Sequence, residues 1–83
     1  MNLLTVGLIG VANFGEYRRK QMKASGRFNL VALCDRNAVA LATAAAEEKA
    51  QPYSDFDQML DHPGLEAIVI STGAESQIGR AHV

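Results

Sequence analysis

Apolar residues along this chain fall into short blocks of two kinds. Residues 3–9 (Leu-Leu-Thr-Val-Gly-Leu-Ile), 29–34 (Asn-Leu-Val-Ala-Leu-Cys) and 66–70 (Glu-Ala-Ile-Val-Ile) are nearly continuous apolar runs of strand length. That is the pattern of strands buried on both faces. Between the first two, residues 16–24 predict a helix that turns Phe14, Tyr17 and Met22 inward and stops at Gly26. Asn37 is placed to cap an alanine-rich second helix over residues 38–50, and residues 51–53 leave room for a very short third strand. Ser54 is expected to cap a brief helix over 55–60, with Asp57 in its acidic first turn and His62-Pro63-Gly64 as the stop. After the strand over 66–70, helix or coil is expected to run to Val83.

Alternating strands and helices predict an α/β fold in which a parallel sheet of about four strands, joined by right-handed crossovers, has helices on both faces. The expected strand order is 3-2-1-4, half of a doubly wound sheet. With 83 residues the chain reads as a single small domain over 1–83. Domains near this size bury only about 60% of their unfolded surface, so stability is expected to be marginal without a ligand or partner.

The turn after the first strand reads Gly10-Val11-Ala12-Asn13-Phe14-Gly15. Asp35 closes the next strand, at the interval of roughly 20 residues that the dinucleotide fingerprint requires. In such a Rossmann arrangement Gly10 permits the tight turn and Gly15 permits close packing of the helix on the sheet. Backbone N–H groups at the helix N-terminus hold the pyrophosphate, and Asp35 accepts hydrogen bonds from the adenosine ribose. The middle glycine of the fingerprint is replaced by Ala12, whose methyl group crowds the phosphates. Asp35 repels a 2′-phosphate while the neighbouring Arg36 attracts one, so the expected cofactor is NAD or NADP, with NAD favoured.

These residues resemble the glucose-fructose oxidoreductase and inositol dehydrogenase (Gfo/Idh/MocA) family. The resemblance is carried by Val6-Gly7-Leu8-Ile9 with the glycine turn, then by Leu30-Val31-Ala32-Leu33-Cys34-Asp35-Arg36-Asn37. It continues through Tyr53-Ser54-Asp55-Phe56-Asp57-Gln58-Met59-Leu60 and Leu65-Glu66-Ala67-Ile68-Val69-Ile70-Ser71-Thr72. It implies the N-terminal, cofactor-binding part of an NAD(P)-dependent oxidoreductase acting on sugars, polyols or related alcohols. By that resemblance the turn at Gly10 to Gly15, Asp35, Arg36, Ser71 and Thr72 line the cofactor. After Thr72 the likeness fails. Where the family has Pro, Asn and then His, this chain has Gly73, Ala74 and Gln77, and the family's Glu-Lys-Pro segment with its catalytic lysine has no counterpart before Val83. The expectation is therefore a truncated dinucleotide-binding module without complete dehydrogenase activity of its own. The alternative is a structural or regulatory protein that keeps the fold for self-association or partner binding, with a vestigial nucleotide site.

Charge and composition narrow the partners. A net charge of −1 gives no general attraction to nucleic acid or acidic membranes, and no apolar run is long enough to span a bilayer. Arg18, Arg19, Lys20, Lys23 and Arg27 form a basic cluster, expected to be the solvated face of the first helix. The lone Cys34 fits a reducing, cytoplasmic setting and is expected to act as a small buried hydrophobe. Tyr17 is expected to pack in the core and His62 to have a structural role; His82, near the terminus, has no metal-ligating neighbours in sequence, and Glu75 and Ser76 lie where the cofactor's distal half would pass. With nothing expected to cover the fourth strand, its outer edge is predicted to be exposed and to pair in a homodimer.

Overall fold

A computed structural model of the chain describes residues 3–11, 14–71 and 77–80. In chain order the elements are β1 (Leu4–Ile9), α1 (Phe14–Ser25), β2 (Phe28–Cys34), α2 (Ala38–Glu48), β3 (Gln51–Tyr53), α3 (Phe56–Leu60), β4 (Ala67–Ile70) and β5 (Gln77–Arg80). They form one sheet in the order β3-β2-β1-β4-β5. The first four strands are parallel, in the order expected from the alternating pattern.

The fifth strand corrects the expectation for the end of the chain. In place of helix or coil, β5 runs antiparallel beside β4, with Ile68 opposite Gly79 and Val69 opposite Ile78. The outer edge of β4, predicted to be bare and to carry a dimer, is thus paired within the chain. A strand edge binds whatever extended segment reaches it first, and a segment a few residues downstream has the least chain entropy to lose. Four residues with a glycine among them give too weak a strand pattern to be read from sequence.

Each central strand divides its side chains between two cores. Val6 and Leu8 of β1, Leu33 of β2 and Ala67 and Val69 of β4 pack with Val11, with Met22 of α1 and with Leu41 and Ala44 of α2. Ala32 and Cys34 of β2 and Ile68 of β4 face the other way, toward Met59 of α3 and Leu65. A shift in register between Val6 and Gly7 leaves Val31 as an extra residue on β2, so that Val31 and Ala32 both belong to the second core. Gly7 packs closely there: a Cβ on it would lie 3.1 Å from Met59 Sδ, so any larger residue would require the Met59 side chain to shift. Leu8, Leu33 and Met59 are fully buried, and burying a side chain of that kind is worth roughly 1.5–3 kcal/mol.

The helices explain two further departures. Among the residues of α1 whose burial is described, Gly15, Arg19 and Met22 are buried, the i, i+4, i+7 stripe of a helix lying on a sheet. Tyr17 falls off that stripe and is 60% exposed, which overturns the expectation of core packing. Arg19 falls on it and is buried, so the basic cluster is not uniformly a solvated face. In α2, Asn37 caps as expected, its Oδ1 accepting from Ala40 N at 3.1 Å. This helix ends at Glu48, two residues before the expected stop, because Lys49 adopts the left-handed conformation (φ 54°) that redirects the chain into β3. In α3 the cap is Asp55 and not Ser54; Asp55 Oδ1 accepts from Asp57 N at 2.8 Å. His62 ties the end of α3 to β3 through a 2.7 Å hydrogen bond between its Nδ1 and the Tyr53 hydroxyl, a structural part as expected.

Candidate functional site

Strands β2 and β3 are added in succession to one side of β1, and the chain then crosses to the other side to form β4. The C-terminal ends of β1 and β4 therefore border the point where the winding reverses, the place where open α/β sheets leave a crevice for ligands. Gly10 and Val11 leave β1 there, Asp35 follows β2, and Ser71 follows β4. Sequence-predicted site residues from three strands are thus brought together at one end of the sheet.

The turn is built from backbone constraints. Gly10 has φ 86°, and its N–H donates to the Cys34 carbonyl at 2.9 Å, extending the β1–β2 pairing by one residue before the chain turns away. A Cβ on Gly15 would lie 1.9 Å from the Gly10 carbonyl oxygen, so only glycine lets α1 begin directly against the end of β1. With α1 starting at Phe14, the unpaired N–H groups of its first turn and the positive end of its dipole sit at that end of the sheet. Ala12, Asn13 and Thr72 lie outside the described residues.

Asp35 organises the neighbouring backbone. Its Oδ2 accepts from Val11 N at 2.9 Å and its Oδ1 from Asn37 N at 2.9 Å, and the side chain is only partly buried. A carboxylate has about four lone-pair positions, of which the described residues take two, and such an acceptor fits a ribose diol. Arg36 is exposed and makes no ion pair among the described residues. Ser71 is buried, and its N–H donates to the Ile9 carbonyl at 2.8 Å. Burial, and then the negative charges of Asp35 and Asp55, push the Cys34 thiol above its ordinary pKa, so it remains a protonated, packed side chain at neutral pH.

Behind the turn lies a polar cluster that the sequence reading missed. Arg19 Nη1 pairs with Glu48 Oε2 at 2.8 Å and lies 3.6 Å from Glu47 Oε1, while Lys23 Nζ reaches Glu48 Oε1 at 2.9 Å. Arg19 Nη2 donates to the Val11 carbonyl at 3.3 Å. The missed signal was positional: Arg19 sits on the inward stripe of α1, and Glu48 follows Leu41 and Ala44 at the same kind of spacing in α2. Among the described residues no group of His, Cys, Asp and Glu side chains is arranged to hold a metal ion, and no helix is long and apolar enough to cross a membrane. His82, Glu75 and Ser76 lie outside the described residues.

This fold and site define a dinucleotide-binding type of α/β domain. The family model described as "Oxidoreductase family, NAD-binding Rossmann fold" matches residues 4–83, so the chain belongs to the Gfo/Idh/MocA oxidoreductase family. Among solved structures it is similar to GenD2 from gentamicin A biosynthesis in complex with NAD (TM-score 0.80, 21% identity, 87% of this chain and 21% of that one). It is also similar to the WlbA dehydrogenase from Bordetella pertussis in complex with NADH and UDP-GlcNAcA (TM-score 0.75, 29% identity, 86% and 22%). A third is myo-inositol 2-dehydrogenase from Lactobacillus plantarum (TM-score 0.76, 25% identity, 86% and 22%). The chain therefore spans about a fifth of the length of these structures. No curated protein sequence matches it.

Proposed function

We propose that residues 1–83 act as one dinucleotide-binding unit that takes NAD in preference to NADP in the crevice at the C-terminal ends of β1, β2 and β4. In this reading the first turn of α1 and residues 10–15 hold the pyrophosphate, Asp35 binds the adenosine ribose, and Arg36, Ser71 and Thr72 border the cofactor. The observation that carries it is the tie between Val11 N and Asp35 Oδ2. That bond fixes the phosphate turn and the ribose-binding carboxylate relative to each other, while leaving the carboxylate with accepting capacity. The carboxylate at the ribose position favours the unphosphorylated cofactor. NAD supplies the hydride acceptor, and an alcohol carbon of a sugar or cyclic polyol is the class of substrate that the similar dehydrogenases suggest. The role assigned to these residues is cofactor binding. A reducing, cytoplasmic setting suits its single buried cysteine. No dimer through β4 forms part of this reading.

Calorimetric titration of the 83-residue chain with NAD and NADP tests the proposal. Saturable heat with tighter binding of NAD is expected. Asp35→Asn, which keeps one accepting oxygen and removes the charge, is expected to weaken NAD by on the order of tenfold and to narrow the preference over NADP. The absence of both heat and thermal shift at millimolar dinucleotide would sink the proposal.

A further inference from the structure

Arg19 is the buried polar residue that the dinucleotide fingerprint leaves unexplained. Only 8% of its side chain is exposed, and its Nε has no hydrogen-bond partner among the described residues. A guanidinium is costly to bury, and an aliphatic side chain on the same stripe would join α1 to α2 without that cost. Pairing with Glu48, itself 5% exposed and balanced on its other oxygen by Lys23, offsets the charge but uses only one arm of the fork. The other arm reaches the Val11 carbonyl.

Val11 is consequently held from both sides, its N–H by Asp35 Oδ2 and its carbonyl by Arg19 Nη2. Because peptide units are planar, fixing both groups of one residue fixes the direction in which the chain enters the phosphate turn. We propose that Arg19 is a positioning residue of the dinucleotide site: anchored on α2 by Glu48, it holds the Val11 carbonyl and so sets the entry of the turn that receives the pyrophosphate. Its ligand rests on the NAD reading above; the tie to Val11 stands apart from it. The guanidinium is suited to this because its planar fork places separate nitrogens on the two acceptors, Nη1 on Glu48 and Nη2 on the Val11 carbonyl, whereas a lysine has a single nitrogen to place between them.

Arg19→Lys separates the two roles, since it can keep the ion pair between the helices and lose the tie to the turn. Two readouts are taken on the full chain: the NAD dissociation constant by calorimetry and the Val11 carbonyl ¹³C resonance of the ligand-free protein. The expected result is weakening of NAD binding by on the order of tenfold together with an upfield move of that resonance. Leu41→Ala, which loosens the α2 packing without touching the tie, is expected to lower stability and leave both readouts in place. Glu48→Ala, which releases Arg19 from its anchor, supplies the second test if Arg19→Lys does not fold, with the same two changes expected. Wild-type affinity, or a Val11 carbonyl resonance that does not move, would overturn the inference. Should the wild-type chain itself bind no NAD, the functional proposal fails, and an unmoved Val11 resonance would still refute the tie separately.

Discussion

At Gly15 the chain has no room for a side-chain carbon, because the nearest atom is the carbonyl oxygen of Gly10 and not the end of a flexible side chain. Gly15→Ala must push α1 away from the end of β1. A loss of about 1–3 kcal/mol is expected, read as a lower urea midpoint in denaturation. A shift smaller than the error of the midpoint would mean that α1 can move without cost. The roles of Gly10 and Gly15 were legible from spacing alone, since a left-handed turn and a close helix–sheet approach both demand glycine. Asp35 was legible as the acidic partner two segments on. Its bond from Asn37 N is a local turn two residues on, but its bond from Val11 N was not legible, because it depends on how the turn folds back over the end of β2. Tyr17 was misread since an aromatic ring suggests a core, whereas the helical stripe through Gly15, Arg19 and Met22 leaves it facing solvent.

Within the elements, α2 joins a good start to a strained finish. Asn37 satisfies an N–H of the first turn, while Lys49 at the other end holds φ 54°, a conformation in which a Cβ crowds the backbone. Lys49→Gly is therefore expected to stabilise the protein by about 0.5–1 kcal/mol, measured as a raised thermal or urea midpoint. A fall in stability would show that the lysine side chain contributes more than its backbone strain costs. The ion cluster belongs to this scale as well. Arg19 of α1 and Glu48 of α2 each occupy an inward position of their own helix, and each is tolerable there because it is paired, Arg19 with Glu48 and Glu48 with both Arg19 and Lys23. Composition placed Arg19 in a run of basic residues; position on the helix placed it in the interior.

For the whole molecule, the consequence of small size is that ligand binding and stability are tightly linked. A ligand that binds only the folded state at 100 times its Kd adds about 2.7 kcal/mol, a large share of what an ordinary domain possesses. Saturating NAD is accordingly expected to raise the melting temperature of the chain by several degrees. An unchanged melt in the presence of bound NAD would point to equal binding by the unfolded chain. β5 matters at this scale too: it moves the free edges of the sheet to β3 and β5, away from β4, where a continuous sheet between two copies was expected.

The order β3-β2-β1-β4, the turn at Gly10 and Gly15, the acidic residue after β2 and the family itself were determined by the sequence alone. Each rests on local signals: apolar runs, glycine conformations and a fixed spacing along the chain. The pairing of β5 with β4, the burial of Arg19 against Glu48 and the double hold on Val11 were decided only by the tertiary structure. Arg19 meets Glu48 across 29 positions and Val11 meets Asp35 across 24. Such partners carry no mark of each other in the sequence until packing brings them within hydrogen-bond reach, where burial makes pairing necessary.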